Sequence, residues 1–298
     1  MKAITLLLSA LGGLAAVSLL SAAEITAPGA QLELLTDTCK FTEGPAADVV
    51  GNVYFTDQPN DRILVWTVED RLETFMQPCG RSNGMFFDRD GNLLTCADER
   101  NELWLIPLSK QPRVLVKEFD GKFLNAPNDL WVRPDNGLYF TDPLYPRTWW
   151  KHRDAESQQA GQHVYYLTPD REQLKPVATD LEQPNGIIGT PDGKTLYVAD
   201  IRAGKTYAYD IQPDGSLVGK RLFCEMGSDG MTLDQEGNVY LTGRGVTVFD
   251  QTGAKIQQID GPKGWTANVC FGGKDHDTLY ITATTCLYRI KTRVKGAY

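Results

Sequence analysis

The sequence contains few of the residues that bind soft or transition metals. It has only three histidines, His152, His163 and His276, and they are widely separated along the 298 residues. The six cysteines form no CxxC pair and no Cys/His cluster. A structural zinc site needs about four such ligands at short spacing, so none is predicted. His276 falls at a tight-turn position, where histidine is among the residues tolerated at positive φ, and we interpret it as a turn residue.

Positive charge is also scarce, and it is nowhere concentrated. Thirty Lys and Arg residues stand against 38 Asp and Glu residues, which gives a formal net charge of −8 at pH 7. Binding to nucleic acid depends on basic patches that neutralise phosphates, and the sequence contains no such patch. We therefore expect no nucleic-acid partner. The acidic balance is compatible with a bound cation and a small-molecule substrate.

Long apolar runs are absent except at the N-terminus. Lys2 precedes an uncharged run over residues 3–23, which ends in the small residues Ser-Ala-Ala. This pattern predicts a cleaved secretory signal over 1–23, with one domain over 24–298 in a secreted or periplasmic protein that keeps no membrane attachment. A retained anchor is the alternative, because the run is almost long enough to span a bilayer. Export would allow the cysteines to oxidise, but six cysteines permit fifteen pairings.

One short motif occurs six times. Each copy begins with a residue that carries a side-chain oxygen, here called the lead residue, followed by an apolar run, a Gly/Asn/Asp turn and a second β-rich run. Successive lead residues are 39 to 57 residues apart, a period typical of propeller blades. The lead residues are Glu43, Asn83, Asn128, Asn185, Asp229 and Asn268.

The spacing inside each copy predicts a β-hairpin. Eight residues after the lead residue stands a turn residue, and five of the six are Gly or Asn, which tolerate positive φ. Further strand-like runs follow, such as 103–106 and 113–116, so that most copies contain four strands. The turn residues are Gly51, Gly91, Asn136, Gly193, Gly237 and His276.

The sixth copy is too short for a fourth strand, because only eight residues follow the run 287–290. The segment 31–35, which precedes the first copy, is a spare strand. We expect it to pair with the sixth blade, which would close the ring and cover an exposed edge. The sequence therefore predicts an all-β protein, a six-bladed β-propeller of four-stranded antiparallel blades in which an N-terminal strand completes the last blade.

This topology places all six lead residues at one mouth of the central channel. They offer only carboxylate and amide oxygens, which suit calcium and disfavour zinc or copper, although Zn²⁺, Mn²⁺ or Mg²⁺ could replace it. The alternative is that Asn-Gly and Asp-Gly only shape a turn. That reading does not explain Glu43. Farther out on the same face, the second strands end in aspartates, among them Asp142.

Several segments resemble one known family. Glu43-Gly-Pro, Leu124-Asn-Ala-Pro-Asn-Asp-Leu130, Gln183-Pro-Asn-Gly186 and Ser228-Asp-Gly-Met231 are similar to segments of the gluconolactonase, regucalcin and luciferin-regenerating-enzyme propellers, and the resemblance extends from about residue 32 to 290. It implies that Glu43, Asn185 and Asp229 hold calcium. It also implies that Asn128 binds metal, as in related phosphotriesterases, or substrate, as in regucalcin. Regucalcin-like members carry an arginine two residues before that asparagine, where this chain has Ala126.

The resemblance implies a calcium-dependent lactonase in which Asp229 is the catalytic base or nucleophile. Metal binding lowers carboxylate basicity, so an outer carboxylate such as Asp142 is the alternative base. We expect substrate contacts at the channel mouth from Arg81, Asn83, Asn128, Asp142 and Tyr145.

Two further features bear on the mouth. Blade three contains an insertion over 143–161, whose Tyr145, Trp149 and Trp150 either form a substrate wall or only pack the loop down. Gly80-Arg-Ser-Asn-Gly84 matches the serine-hydrolase pattern G-x-S-x-G, but a strand follows where that motif needs a helix, so no serine nucleophile is predicted.

Two other functions remain open for the predicted scaffold. The same metal could activate an organophosphate or another ester, or the propeller could bind a ligand without catalysis around a structural calcium. A lactone panel assayed with and without EDTA separates the three. The oligomeric state is not predicted.

Overall fold

The computed structural model describes residues 24–262 and 264–298, and strands make up nearly all of its regular structure. Within this part of the chain, the one helical segment is a single 3₁₀ turn at Gln58–Asn60. No helix of the described residues is long and apolar enough to cross a membrane. The predicted signal over 1–23 lies outside the described residues.

The strands, numbered in chain order, form six four-stranded antiparallel sheets and one short ribbon. Their bounds are as follows: β1 Glu33–Thr36; blade one, β2 Thr42–Ala47, β3 Val53–Asp57, β4 Arg62–Trp66 and β5 Leu72–Met76; blade two, β6 Ser82–Phe87, β7 Leu93–Ala97, β8 Glu102–Ile106 and β9 Arg113–Val116; the ribbon, β10 Glu118–Phe119 and β11 Lys122–Phe123; blade three, β12 Leu130–Val132, β13 Leu138–Asp142, β14 His163–Leu167 and β15 Leu174–Ala178; blade four, β16 Pro184–Gly189, β17 Thr195–Asp200, β18 Lys205–Ile211 and β19 Leu217–Cys224; blade five, β20 Met231–Leu233, β21 Val239–Gly243, β22 Gly245–Phe249 and β23 Lys255–Ile259; blade six, β24 Thr266–Gly272, β25 Thr278–Ala283 and β26 Cys286–Lys291.

The predicted six-bladed propeller is confirmed, and so is its closure. Strand β1 pairs antiparallel with β26, so the order in the last sheet is β1-β26-β25-β24. The paired residues extend from Glu33, opposite Arg289, to Thr36, opposite Leu287. The strand therefore begins two residues later and ends one residue later than the predicted segment 31–35. Arg289 also forms an ion pair with Glu33 at 2.8 Å.

The hairpin turns follow the predicted pattern in every blade. All six turn residues have positive φ, between 53° and 98°, including His276 at 53°. The core consists of apolar layers between neighbouring sheets. The largest cluster contains the buried rings of Trp131, Tyr139 and Tyr166. All six cysteines are buried and free.

The last residues of the chain cross the face of the ring opposite the lead residues. Gly296 donates a hydrogen bond to His276 O (2.8 Å), Ala297 donates to Leu233 O (3.0 Å), and the ring of Tyr298 packs edge-on against Phe86 in blade two, with 5.3 Å between centroids. The Tyr298 hydroxyl accepts a hydrogen bond from Trp131 Nε1 at 2.9 Å and donates one to Gly189 O. The C-terminus therefore links blades two to six.

This link predicts a stability role for Tyr298. Tyr298→Ala should lower the free energy of unfolding by about 2–4 kcal/mol, because it removes a packed ring as well as the hydroxyl. Tyr298→Phe keeps the ring but leaves the Trp131 N–H without its acceptor, so the expected loss is about 1–3 kcal/mol. Urea unfolding of the two variants and the wild type measures both losses. Equal losses in the two variants would contradict a packing role for the ring.

Candidate active site

Glycines next to the lead residues bring the inner strands close together at the axis. A Cβ atom on Gly44, Gly84, Gly186 or Gly230 would lie 2.0 to 2.9 Å from an atom of the next blade. Of these four residues only Gly44 has positive φ (45°). In blades two, four and five the glycine after the lead residue therefore serves close packing rather than a turn. This packing brings the lead residues of neighbouring blades together.

Asn185 and Asp229 are in direct contact. Asn185 Nδ2 donates hydrogen bonds to Asp229 Oδ1 at 2.9 Å and to the Tyr145 hydroxyl at 3.0 Å. The indole Nε1 of Trp265 donates to the other carboxylate oxygen of Asp229. Since both donors of the amide are turned toward these partners, Asn185 Oδ1 is buried without a hydrogen-bond partner among the described residues.

Glu43 adds a second carboxyl group to this cluster. It is only 3 % exposed, and Glu43 Oε2 accepts a hydrogen bond from Gly44 N at 2.9 Å. Burial raises the pKa of Glu43 well above its usual value, and the charge of Asp229 raises it further. Burial also raises the pKa of Asp229 to about 6, although the hydrogen bonds from Trp265 and Asn185 oppose this shift. The two carboxyl groups therefore share a poorly solvated space that favours a cation.

Among the remaining lead amides, Asn128 is held by its backbone. Asn128 N donates to Thr141 O at 2.9 Å, and Asn128 O accepts from Gly84 N of blade two at 2.8 Å. Thr141 Oγ1 in turn donates to Asn185 O of blade four at 2.7 Å. Asn83 is buried, and its Oδ1, like that of Asn185, has no hydrogen-bond partner among the described residues.

The donor set fits a hard divalent cation. In the described part of the chain, no three His, Cys, Asp or Glu side chains form a metal cluster. The predicted set contains only two carboxylates, Glu43 and Asp229, and amides must supply its other oxygens. The buried, unpartnered Oδ1 atom of Asn185 beside these carboxylates is such an oxygen. Carboxylate and amide oxygens are ligands that calcium prefers.

Asp142 does not occupy the place that the sequence analysis gave it. It is fully buried, and its two carboxylate oxygens accept hydrogen bonds from Asn125 N and Ala126 N, both at 2.9 Å. Asp200 holds the backbone before the lead residue of blade four in the same way. These aspartates fix the loops that enter the inner strands. The expected roles of Asp142 as a substrate ligand or outer base are therefore corrected to a structural role.

The insertion between β13 and β14 contributes both to the mouth and to the packing below it. Tyr145 reaches the lead residue Asn185 through its hydroxyl. Trp150 is buried and donates from Nε1 to Asp98 O at 2.7 Å, so it holds the loop down. Trp150 therefore packs the loop down, whereas a substrate wall formed by Tyr145 stays a prediction.

The serine-hydrolase pattern has no catalytic geometry. Ser82 is fully buried in β6, and its hydroxyl donates to Cys79 O at 2.7 Å. Arg81, one residue earlier, is partly exposed and lies over the ring of Trp149, with 5.0 Å from its guanidinium carbon to the ring centroid.

Two residues beside the lead residues, Trp265 and Arg147, were not predicted from the sequence. Trp265 is 44 % exposed and binds the Asp229 carboxylate. Its one sequence signal is its position three residues before the lead residue Asn268. Arg147 forms an ion pair with Asp98, from Nε to Oδ2 at 3.0 Å, and its charge partly opposes the rise that burial causes in the pKa of Glu43 and of Asp229. In the sequence, the insertion stands out for its aromatic residues, and nothing in its pattern distinguishes this arginine.

Most of the chain matches one family of known proteins. Residues 41–285 match the model of the SMP-30/Gluconolactonase/LRE-like region. The chain belongs to this family. It is 28 % identical over 295 residues to a gluconolactonase of Zymomonas mobilis, covering 89 % of this chain and 82 % of the relative. It is 30 % identical over 255 residues to the pentonolactonase XacC of Haloferax volcanii, covering 82 % of each protein.

A solved structure shows the same arrangement of blades. The gluconolactonase XC5397 of Xanthomonas campestris superposes with a TM-score of 0.81 at 29 % identity, covering 90 % of this chain and 91 % of that one. A calcium-binding regucalcin of Agrobacterium tumefaciens superposes with a TM-score of 0.74 at 20 % identity, covering 89 % and 94 %. At that identity the second comparison supports the fold alone.

Proposed function

We propose that the protein is a calcium-dependent lactonase whose site is the cluster of Glu43, Asn128, Asn185 and Asp229 on the propeller axis. The observation that carries the proposal is the direct contact between Asp229 and Asn185, with a buried, unpartnered amide oxygen beside two carboxyl groups. The lactone-hydrolase names of its relatives support the substrate class. We also propose that the protein is exported, on the evidence of residues 1–23.

When bound, calcium would supply an electrophile for the lactone carbonyl and neutralise the charge that develops on its oxygen. The residues of the chain have separate tasks. Glu43, Asn128, Asn185 and Asp229 would hold the ion through their side-chain oxygens. Asp229 would accept the proton of the attacking water at one carboxylate oxygen while Trp265 and Asn185 fix the orientation of the group.

Tyr145 and Trp265 lie beside this carboxylate and its partner amide. Each donates to or accepts from a member of the pair Asn185–Asp229, and each is partly exposed at the mouth. These two aromatic rings can pack against the apolar face of a small lactone ring. Arg81 and Asn83 remain proposed substrate contacts on the side of blade two.

Removal of calcium is the direct test of this proposal. Lactone hydrolysis by the wild type should disappear in EDTA and return with added Ca²⁺. Asn185→Ala, which removes the unpartnered oxygen, should shift the calcium dependence to higher concentration by about 10-fold or more, and excess calcium should restore much of the rate.

Asn92, at the hairpin turn of blade two, offers a matched control for Asn185→Ala. Asn92 Nδ2 donates to Asp88 Oδ2 at 2.9 Å, a bond of the same kind and length as that between Asn185 and Asp229. Asn92→Ala should leave the calcium dependence unchanged. Activity on organophosphates alone, or a tightly bound ion without any hydrolysis, would contradict the lactonase proposal.

A further inference from the structure

Two arginines share one aromatic ring at the mouth of the proposed site. The guanidinium carbon of Arg81 lies 5.0 Å from the ring centroid of Trp149, and that of Arg147 lies 5.6 Å from the same centroid. Arg147 also lies 5.5 Å from the ring centroid of Tyr145. Arg81 comes from the entry to blade two and the other residues come from the insertion of blade three, so two separate segments build one wall.

This wall, defined by Arg81, Arg147 and Trp149, carries more positive than negative charge. Asp98 is the one carboxylate that Arg147 pairs with among the described residues, and Asp98 Oδ2 also accepts from Gln58 Nε2 at 3.0 Å. Arg81 forms no ion pair in the described part of the chain, and its side chain donates instead to the carbonyl of Pro59 at 2.8 Å. Two guanidinium groups are thus matched by one buried carboxylate, in a chain whose net charge is −8.

Asp98 can pair with Arg147 because Asp61, and not Asp98, holds the backbone before the lead residue of blade two. In blades three and four, the aspartate that ends the second strand holds the backbone before the lead residue. In blade two that backbone is held by Asp61, which accepts from Arg81 N at 2.7 Å and from Cys79 N at 3.0 Å. Asp98 can therefore bind the insertion, through Arg147 Nε and Trp150 Nε1.

The charged wall adjoins the carboxylate cluster. Tyr145, which packs against Arg147, accepts a hydrogen bond at its hydroxyl from Asn185 Nδ2 at 3.0 Å. Burial raises the pKa of Glu43 and of Asp229, and the positive charge of Arg147 partly opposes both shifts. The hydrogen bond of Arg147 to Asp98 uses Nε, and its two terminal nitrogens have no hydrogen-bond acceptor among the described residues.

We propose that Arg81 and Arg147 bind a carboxylate carried by the substrate, so that the protein prefers lactones with an acidic substituent over neutral sugar lactones. This inference rests on the proposed lactonase function and names its substrate class. A guanidinium binds a carboxylate through two parallel hydrogen bonds, and the free terminal nitrogens of Arg147 suit that geometry. The nearby aromatic rings hold both arginines in place.

Two simple lactones that differ only in the group at C6 are suitable probes. D-Glucono-1,4-lactone ends in a neutral CH₂OH at C6, and D-glucaro-1,4-lactone has a carboxylate there. With calcium in excess, the wild type should hydrolyse the charged lactone with a kcat/KM at least about 10-fold higher. Arg147→Gln and Arg81→Gln should each lower kcat/KM for the charged lactone by about 10–100-fold, with a clearly smaller loss for the neutral one.

Arg133→Gln is the matched control, because Arg133 also lies over an aromatic ring, 5.7 Å from the centroid of Tyr166, but away from the lead residues. It should leave the ratio of the two kcat/KM values unchanged. Equal rates on the two lactones, or equal losses in the arginine variants, would overturn the inference and leave the lactonase function standing.

Calorimetric binding of D-glucarate, the ring-opened dicarboxylate, separates the two proposals when no lactone is hydrolysed. Binding that is lost in Arg147→Gln and kept in Arg133→Gln would support anion recognition and reject only the lactonase function. Absence of both binding and hydrolysis would overturn the inference together with the function.

Discussion

Replacement of Asp229 by asparagine is expected to reduce the turnover of lactones by about 10²–10⁴-fold, as for the loss of a general base. The variant keeps the size of the side chain and one oxygen for the cation, so calcium affinity should fall only modestly. The amide can no longer accept a proton from water. Because Trp265 and Asn185 both donate to this carboxylate, the exchange also leaves one of these donors facing an NH₂ group.

The measurement is the rate of hydrolysis against calcium concentration for Asp229→Asn, with Glu43→Gln as the comparison. Glu43→Gln also removes one formal charge from the cluster, but it leaves the proposed base in place. Its rate should therefore recover largely at high calcium, whereas that of Asp229→Asn should stay low. Full recovery of Asp229→Asn would show that Asp229 is only a ligand, and the base would have to be another group.

The architecture could be predicted because its signals are local and repeated. Each hairpin depends on a turn residue with positive φ eight residues after the lead residue, and all six positions follow that rule. Even the closure of the ring could be derived, since blade six lacks a strand and the segment before blade one supplies it. The path of the last residues to Trp131 was not predicted, because nothing in their sequence indicates their partner.

Only those site residues that occupy equivalent positions in the six blades could be predicted from the sequence. The lead residues occupy equivalent positions in six blades, so their meeting at the axis follows from the fold. Asp142 was misplaced because its position at the end of the second strand gives no information about which backbone groups it binds. Trp265 and Arg147 lie in connecting loops, whose conformation depends on contacts with other blades rather than on a sequence period.

Gly44→Ala should have the largest effect on stability among single substitutions at the axis. Gly44 has a φ of 45°, and a Cβ atom there would lie 2.1 Å from Asn83 O and 2.8 Å from the Cα of Gly84. Both obstacles belong to the backbone of blade two, so no side-chain rotation relieves them. Blades one and two would have to separate, and we expect a loss of about 3 kcal/mol or more in the free energy of unfolding, combining overpacking with backbone strain.

The same separation should move Glu43, the preceding residue, away from Asp229 and so reduce calcium affinity as well as stability. Gly91→Ala is the control for backbone strain alone, since Gly91 has a φ of 80° with no atom within 4 Å of the added Cβ. It should cost about 1–2 kcal/mol and leave calcium binding unchanged. Urea unfolding and calcium titration of both variants test this. Similar results for the two would show that the backbones near Gly44 can separate without cost, and close packing at the axis would then not explain how the lead residues meet.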